Sequence, residues 1–195
     1  MELHGAQVTV FCGSSPGHDP AYLAEARALG AELALAGATV MYGGASVGLM
    51  GAMADAALEA GGTVVGVMPE SLSRPDLTHH GLSELHITSS MHTRKALMSE
   101  RADAYVALPG GYGTWEELLE VATWRQIGLH GRPIVLVDLG GYYAPLRAMV
   151  AQAIAAGFMA PRLGEFLTFV PDATAAVKAL WAYVPPAVNP AKFGG

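Results

Sequence analysis

The sequence lacks the paired cysteines that are typical of secreted proteins and the long apolar helix that is typical of membrane-spanning ones. Its 195 residues contain one cysteine, Cys12, so no disulfide can form within the chain. A lone thiol is typical of a reducing compartment, and no basic segment followed by an apolar stretch precedes residue 7, so we expect a cytoplasmic protein. The longest uncharged run, residues 33–54, contains Gly43, Gly44 and Gly48, which predicts a helix end, a strand and a turn rather than a membrane helix.

Charge is also sparse. Lys, Arg, Asp and Glu make up 14% of the residues, with 17 acidic against 11 basic side chains and a formal net charge of −6. The sequence has no run of Lys or Arg that could neutralise a phosphodiester backbone, so extended nucleic acid is an unfavourable ligand. Hydrophobic residues, at 52%, are abundant enough for one large core and for apolar surface that a second copy of the chain could cover.

Short apolar segments alternate with longer Ala- and Leu-rich segments along most of the chain. The predicted strands are residues 7–11, 39–42, 63–68, 85–88, 104–108, 134–138 and 167–170. The predicted helices are residues 20–36, 48–60, 91–102, 115–127, 143–156 and 174–183. Strands that are apolar on both faces and alternate with helices predict an α/β fold, a Rossmann-like doubly wound parallel sheet of about seven strands.

Two segments interrupt this alternation. Residues 70–84 include Pro75 and the pair His79-His80, which predicts a long excursion near the edge of the site. Residues 185–195 are rich in proline and glycine, so we expect a flexible C-terminal tail after a single domain of residues 1–184.

Three glycine-rich turns each follow a predicted strand and open a helix. The carboxyl ends of parallel strands meet at one sheet edge, and free N–H groups at helix N-termini attract anions, so the three turns together predict a phosphate pocket. One such turn alone is equally explained by the preference of βα connections for glycine. The positions are Gly13 and Ser14 in the first turn, Gly43 and Gly44 in the second, and Gly110, Gly111, Gly113 and Thr114 in the third.

Glu117 has two explanations. Thr114 and Glu117 have the spacing of a capping box, with Thr114 as the N-cap and Glu117 reaching back to it. A carboxylate in the first turn of this helix would also face a phosphoribosyl group held by the glycine turns. We favour this second, catalytic interpretation.

Arg94 and Lys95 begin another helix directly after a strand, which predicts two cations at the same sheet edge. Basic residues in a first helical turn oppose the helix dipole and call for an anion, which Glu117 or a ligand phosphate could supply. The alternative is a solvated helix face. The histidines lack the i, i+4 pairing with a carboxylate that hydrolytic zinc sites show, so we expect no metal; they include His79, His80, His86 and His92.

Together these residues resemble the LOG family, the cytokinin riboside 5′-monophosphate phosphoribohydrolases, long labelled lysine decarboxylase-like. The similarity runs from about residue 8 to residue 184. It is carried by FCGSS at 11–15, YGGASVGLMG at 42–51, SMHTRK at 90–95 and PGGYGTWEE at 109–117. The Arg-Lys pair combined with Pro-Gly-Gly-x-Gly-Thr-x-x-Glu is the specific part, because generic Rossmann-like proteins do not carry both.

The resemblance implies roles for individual residues. It assigns catalysis to Arg94 and Glu117. It assigns substrate contacts to Lys95, Gly110, Gly111, Gly113, Thr114, Thr123 and Asp76. Asp76 stands where the family usually has the longer Glu, and Ala45 where many members have a third glycine. The resemblance also implies a homodimer with each site near the subunit boundary, and we expect no cofactor.

The activity we expect is hydrolysis of the N-glycosidic bond of a purine nucleoside 5′-monophosphate, with adenine or an N6-modified adenine as the base. As the base departs, the ribosyl carbon becomes cationic, and Glu117 would stabilise that charge and orient water. Arg94 would fix Glu117 as an ion pair. The glycine turns would hold the 5′-phosphate.

Three other functions remain as alternatives. Sheets of this kind also bind nucleotides or cofactors without turnover, so a carrier is the main alternative. A dinucleotide-dependent oxidoreductase fits less well, because Glu116 stands where the third glycine of the dinucleotide motif belongs. A lysine decarboxylase would need pyridoxal phosphate on a lysine, and only Lys95 lies near the predicted site.

Overall fold

The sheet has the predicted architecture. A computed structural model describes residues 1–185, in which seven parallel strands form one sheet in the order β4-β3-β2-β1-β5-β6-β7. The strands are β1 (Gln7–Phe11), β2 (Thr39–Tyr42), β3 (Thr63–Pro69), β4 (Glu84–Thr88), β5 (Ala104–Ala107), β6 (Ile134–Val137) and β7 (Leu167–Val170). The doubly wound α/β prediction is therefore confirmed.

Within residues 1–185, six helices cover the two faces of the sheet. They are α1 (Ala21–Leu35), α2 (Gly48–Glu59), α3 (Met91–Arg101), α4 (Tyr112–Gln126), α5 (Ala144–Ala155) and α6 (Ala173–Ala182), with 3₁₀ turns at Glu70–Leu72, Leu139–Gly141 and Pro161–Phe166. One apolar cluster packs α1, α2 and α6 on the sheet, and a second packs α3, α4 and α5 on the opposite face. Alternate residues of β1 serve the two clusters, with Val8 and Val10 in the first and Phe11 in the second.

The order of the strands reverses between β1 and β5, and the two strands run into glycine turns that touch. The N–H of Gly13 donates to the carbonyl of Pro109 at 3.0 Å. A Cβ added at Gly110 would lie 2.8 Å from the Gly13 nitrogen, so only glycine permits this approach. In doubly wound sheets the crevice at such a reversal is where ligands bind.

The segment between β3 and β4 is fastened to the turn that follows β2. Ser46 N–H donates to the Leu77 carbonyl at 2.8 Å, and His79 N–H donates to the Gly44 carbonyl at 2.9 Å. The His79 ring also bonds the carboxylate of Asp55 on α2 at 3.0 Å. These bonds hold residues 70–83 as a fixed wall beside the carboxyl edge of the sheet.

The start of α4 differs from the prediction. The helix begins at Tyr112 with Gly111 as its N-cap, and its N-terminus has no side-chain cap. The predicted capping box of Thr114 and Glu117 is therefore wrong, because Glu117 lies in the second turn and its carboxylate pairs with another helix. Within residues 1–185, no helix is long and apolar enough to cross a bilayer. The predicted tail lies outside the described residues from residue 186 onward.

Candidate active site

A cavity of about 440 Å³ opens at the carboxyl edge of the sheet, where the three glycine turns meet. Its polar wall comes from the turns after β1, β2 and β5 and from three charged side chains, Arg94, Glu116 and Glu117. The turn residues that line it include Gly13, Ser14, Gly43, Ala45, Gly111, Gly113 and Thr114. The turns predicted to form one pocket therefore do meet at one cavity.

Arg94 and Glu117 form a buried ion pair in this cavity. Arg94 lies on α3, whose first turn is fixed by a capping box between Ser90 and Thr93. Its Nη1 donates to Glu117 Oε1 at 2.6 Å, and both side chains are about one-tenth exposed. Burying an unpaired charge to this extent strongly destabilises a protein. Each of the two side chains therefore depends on the other for its buried position.

Two further features hold the guanidinium in place. Arg94 Nε donates to the carbonyl of Val67 at the end of β3, at 2.9 Å. A Cβ at Gly43 would lie only 2.6 Å from Arg94 Nη2, so the missing side chain at Gly43 makes room for the guanidinium. The glycine predicted to bind phosphate thus also accommodates the cation.

The environment of Glu117 raises the pKa of its carboxyl. Burial is the largest cause, and the adjacent Arg94 guanidinium offsets part of it. Glu117 is therefore a carboxylate whose charge is weakly solvated by water and is balanced by one fixed cation. Such a group responds strongly to new positive charge that develops beside it.

The N-terminus of α4 is open to the cavity. Within the described residues, the backbone N–H groups of residues 111–114 have no hydrogen-bond acceptor. By contrast, Ser90 caps α3 and Asp172 caps α6 with their side chains. Free N–H groups and the positive end of the helix dipole make this N-terminus suitable for an anion.

Lys95 does not line the cavity. Its ammonium pairs with the carboxylates of Glu116 and Glu120 on α4, the latter at 2.9 Å. Burial alone would lower the pKa of Lys95, but the bonds to these two carboxylates raise it on balance. Lys95 therefore links α3 to α4 next to the Arg94–Glu117 pair. Its partner Glu116 lines the cavity, although the sequence analysis did not select it as a site residue.

Four other predicted contact residues also lie outside the cavity lining. Asp76 is exposed beside Arg74, with 3.7 Å between Oδ1 and the arginine Nε. Thr123 is exposed on α4 and donates to the carbonyl of Leu119 at 2.7 Å. Gly44 has φ +78°, a backbone conformation that favours glycine in this turn. Gly110 is the contact between the first and third turns.

Sequence reasoning missed the apolar wall of the cavity. Its members come from four separate segments and share no single motif, although two belong to the excursion predicted near the site. They are Met50, Met68, Leu72, Leu77, Met91 and Tyr112.

Cys12 also reaches the cavity. Burial is the main cause that raises the pKa of its thiol, and the nearby Glu117 charge raises it further. Across residues 1–185, no group of His, Cys, Asp and Glu is arranged to hold a metal ion.

Comparison with known proteins identifies the family. A family model described as "Possible lysine decarboxylase" matches residues 50–180. A cytokinin riboside 5′-monophosphate phosphoribohydrolase of Rhodococcoides fascians is 48% identical over 174 residues, which cover 89% of this chain and 88% of the relative. The chain belongs to the LOG family.

Two other similar proteins are a plant relative and a solved structure. An Arabidopsis thaliana relative, also named a cytokinin riboside 5′-monophosphate phosphoribohydrolase, is 42% identical over 95% of this chain and 87% of its own. The solved structure of a Moco carrier protein from Chlamydomonas reinhardtii has a TM-score of 0.67 and 23% identity, covering 92% of this chain and 99% of that one. The latter likeness shows a shared fold.

Proposed function

We propose that this LOG family member is a phosphoribohydrolase, which hydrolyses the N-glycosidic bond of a nucleoside 5′-monophosphate to free base and ribose 5-phosphate. The observation that carries the proposal is the buried Arg94–Glu117 pair in the same cavity as the uncapped N-terminus of α4. A carboxylate for the ribosyl carbon and donors for a phosphate are the two groups that this reaction needs. Relatives named cytokinin riboside 5′-monophosphate phosphoribohydrolases support the same reaction.

In the proposed mechanism the 5′-phosphate binds at the third glycine turn. The free N–H groups of residues 111–114 donate to its oxygens, supported by the α4 dipole. Binding a group that does not react fixes the ribose, so that the scissile bond lies against Glu117. Positive charge then develops on the ribosyl carbon as the base leaves.

Glu117 stabilises that charge and orients the attacking water. The C–N bond breaks as water supplies its hydroxyl to the ribosyl carbon and its remaining proton to the departing base nitrogen, so the base leaves as a neutral molecule. Arg94 holds the carboxylate through Nη1, while Nη2, which has no hydrogen-bond acceptor among the described residues, is available to the ribose or the leaving base. Desolvation in the cavity strengthens each of these interactions.

The apolar wall supports a purine base, either adenine or an N6-modified adenine. Met68, Leu72 and Leu77 belong to β3 and the segment that follows it and offer no charge to the ligand. Apolar contact of this kind favours a base with a hydrocarbon substituent over a charged one. Asp76 and Leu77 are neighbours, so Asp76 is a candidate contact at the edge of this wall.

A panel of nucleotides tests the activity. We expect chromatography to detect free base and ribose 5-phosphate from adenosine 5′-monophosphate or its N6-isopentenyl derivative, and much slower cleavage of the parent nucleosides even at saturation. Di- and triphosphates should gain nothing, because few cations face the turns. Equal rates for nucleoside and monophosphate would remove the phosphate role, and binding without any product would favour a carrier.

We also propose a homodimer. Several large apolar side chains are exposed on or near α3 and α4, where a second copy could cover them. They include Ile87, Met91, Tyr112, Trp115 and Leu119. Lys95 and Thr123 lie on these same helices, so we propose that they contact the substrate only in the dimer, where each site lies near the subunit boundary. Light scattering should give twice the 20.2 kDa mass of one chain, and a monomeric mass at micromolar concentration would contradict this assignment.

A further inference from the structure

Two consecutive tyrosines contact the turn that we assign to the phosphate. Tyr142 and Tyr143 follow β6, and their hydroxyls donate to carbonyls of the residues after β5. The Tyr142 hydroxyl donates to Gly110 and the Tyr143 hydroxyl to Leu108, the latter at 2.7 Å. The mechanism above uses neither tyrosine.

The bond from Tyr142 fixes the direction of a donor in the cavity. In a planar trans peptide, the carbonyl of one residue and the N–H of the next point in opposite directions. Holding the Gly110 carbonyl at Tyr142 therefore directs the Gly111 N–H away from Tyr142. Gly111 lines the cavity, and its N–H has no acceptor among residues 1–185.

This peptide needs an external restraint. It joins two glycines, Gly110 and Gly111, and glycine readily adopts both signs of φ, so rotation of the peptide plane meets little steric resistance from its own residues. A Cβ at Gly111 would meet no atom within 4 Å, so no neighbouring atom at Gly111 opposes rotation of the peptide plane. A rotated plane would turn a carbonyl oxygen toward the anion in place of an N–H.

We propose that Tyr142 is a positioning residue for the phosphate: its hydroxyl holds the Gly110–Gly111 peptide with the N–H toward the ligand. The inference rests on the proposed function for the identity of the anion. Tyr142 acts through the peptide and does not touch the substrate.

Tyr142 is itself firmly held. The carboxylate of Asp138 accepts the N–H of Tyr143 at 2.6 Å and pairs with Arg147 at 2.9 Å, which anchors the loop after β6. The Tyr142 ring packs edge-on against Tyr22 and against Tyr143, with centroid distances of 6.2 and 4.9 Å. A hydroxyl on a side chain packed in this way can restrain the peptide it bonds.

The test is Tyr142→Phe, which removes one oxygen and keeps the packing ring. The matched control is Tyr105→Phe, which also removes the hydroxyl of a mostly buried tyrosine, one bonded to Ser99 and Arg132 instead of a turn. Affinity for ribose 5-phosphate and for adenosine is measured by calorimetry on each protein. KM and kcat for the monophosphate are measured alongside.

We expect Tyr142→Phe to weaken ribose 5-phosphate binding about tenfold and to raise KM for the monophosphate similarly, while adenosine affinity stays unchanged. Tyr105→Phe should alter none of these values. Unchanged phosphate affinity, or an equal loss for ribose 5-phosphate and adenosine, would overturn the positioning role. Wild-type protein that binds ribose 5-phosphate but releases no base would refute the proposed function and leave the binding comparison valid.

Discussion

Glu117→Gln is expected to lower kcat for base release by about two to three orders of magnitude, while the affinity for ribose 5-phosphate changes little. The amide keeps the size of the side chain and can still accept a hydrogen bond from Arg94. It cannot supply the negative charge that opposes the cationic ribosyl carbon. The measurement is single-turnover base release by chromatography, together with calorimetry for binding.

Glu59→Gln is the matched control for this variant. Glu59 also pairs with an arginine, Arg27, at 2.5 Å, but the pair is exposed between α1 and α2. Losing its charge should leave both kcat and binding at wild-type values. If Glu117→Gln turned over near the wild-type rate, Glu117 would have only a structural role and its catalytic assignment would be refuted.

Arg94→Met should damage both stability and catalysis. The methionine fills similar space but leaves the Glu117 carboxylate buried without its cation, which costs about 3–5 kcal/mol when a buried pair is broken. The pKa of Glu117, already raised by burial, loses the influence that offset this rise. As the pH is lowered, Arg94→Met should therefore lose activity at a higher pH than the wild type does, because its Glu117 carboxylate becomes protonated at a higher pH.

A double variant separates these two effects. Arg94→Met combined with Glu117→Gln has no unpaired buried charge, so it should unfold at higher denaturant concentration than Arg94→Met alone. Its kcat should be no higher than that of Glu117→Gln. Full activity in Arg94→Met would show that the ion pair does not matter to catalysis. A double variant no more stable than Arg94→Met would show that the unpaired Glu117 charge does not destabilise the fold.

Much of the fold could be predicted because its determinants are local. Buried strands such as β5 and β6 are continuous apolar runs, and each is followed by a turn rich in glycine or another break in the pattern. The alternation with Ala- and Leu-rich helices then specifies a parallel sheet with covered faces. Pairing across the sheet brings the three turns to one edge.

The site was harder to predict because its partners are distant in sequence. Arg94 and Glu117 could be selected by motif, but the local spacing also suggested a capping box for Glu117. The choice is decided by a contact from α3, 23 residues away, which the local pattern does not contain. The same limit applies to Lys95, whose two carboxylate partners are on α4.

The wall of residues 70–83 and the elements of the sheet contribute different parts of the cavity lining. The charged pair and the glycine turns are built on the sheet and its helices, whereas Leu72 and Leu77 come from a connecting segment. Bonds from Ser46 and His79 use the segment's main chain, so they persist when its side chains are exchanged. Under the proposed function, selectivity for the base can therefore change by substitution in this wall while the Arg94–Glu117 pair and the glycine turns stay as they are.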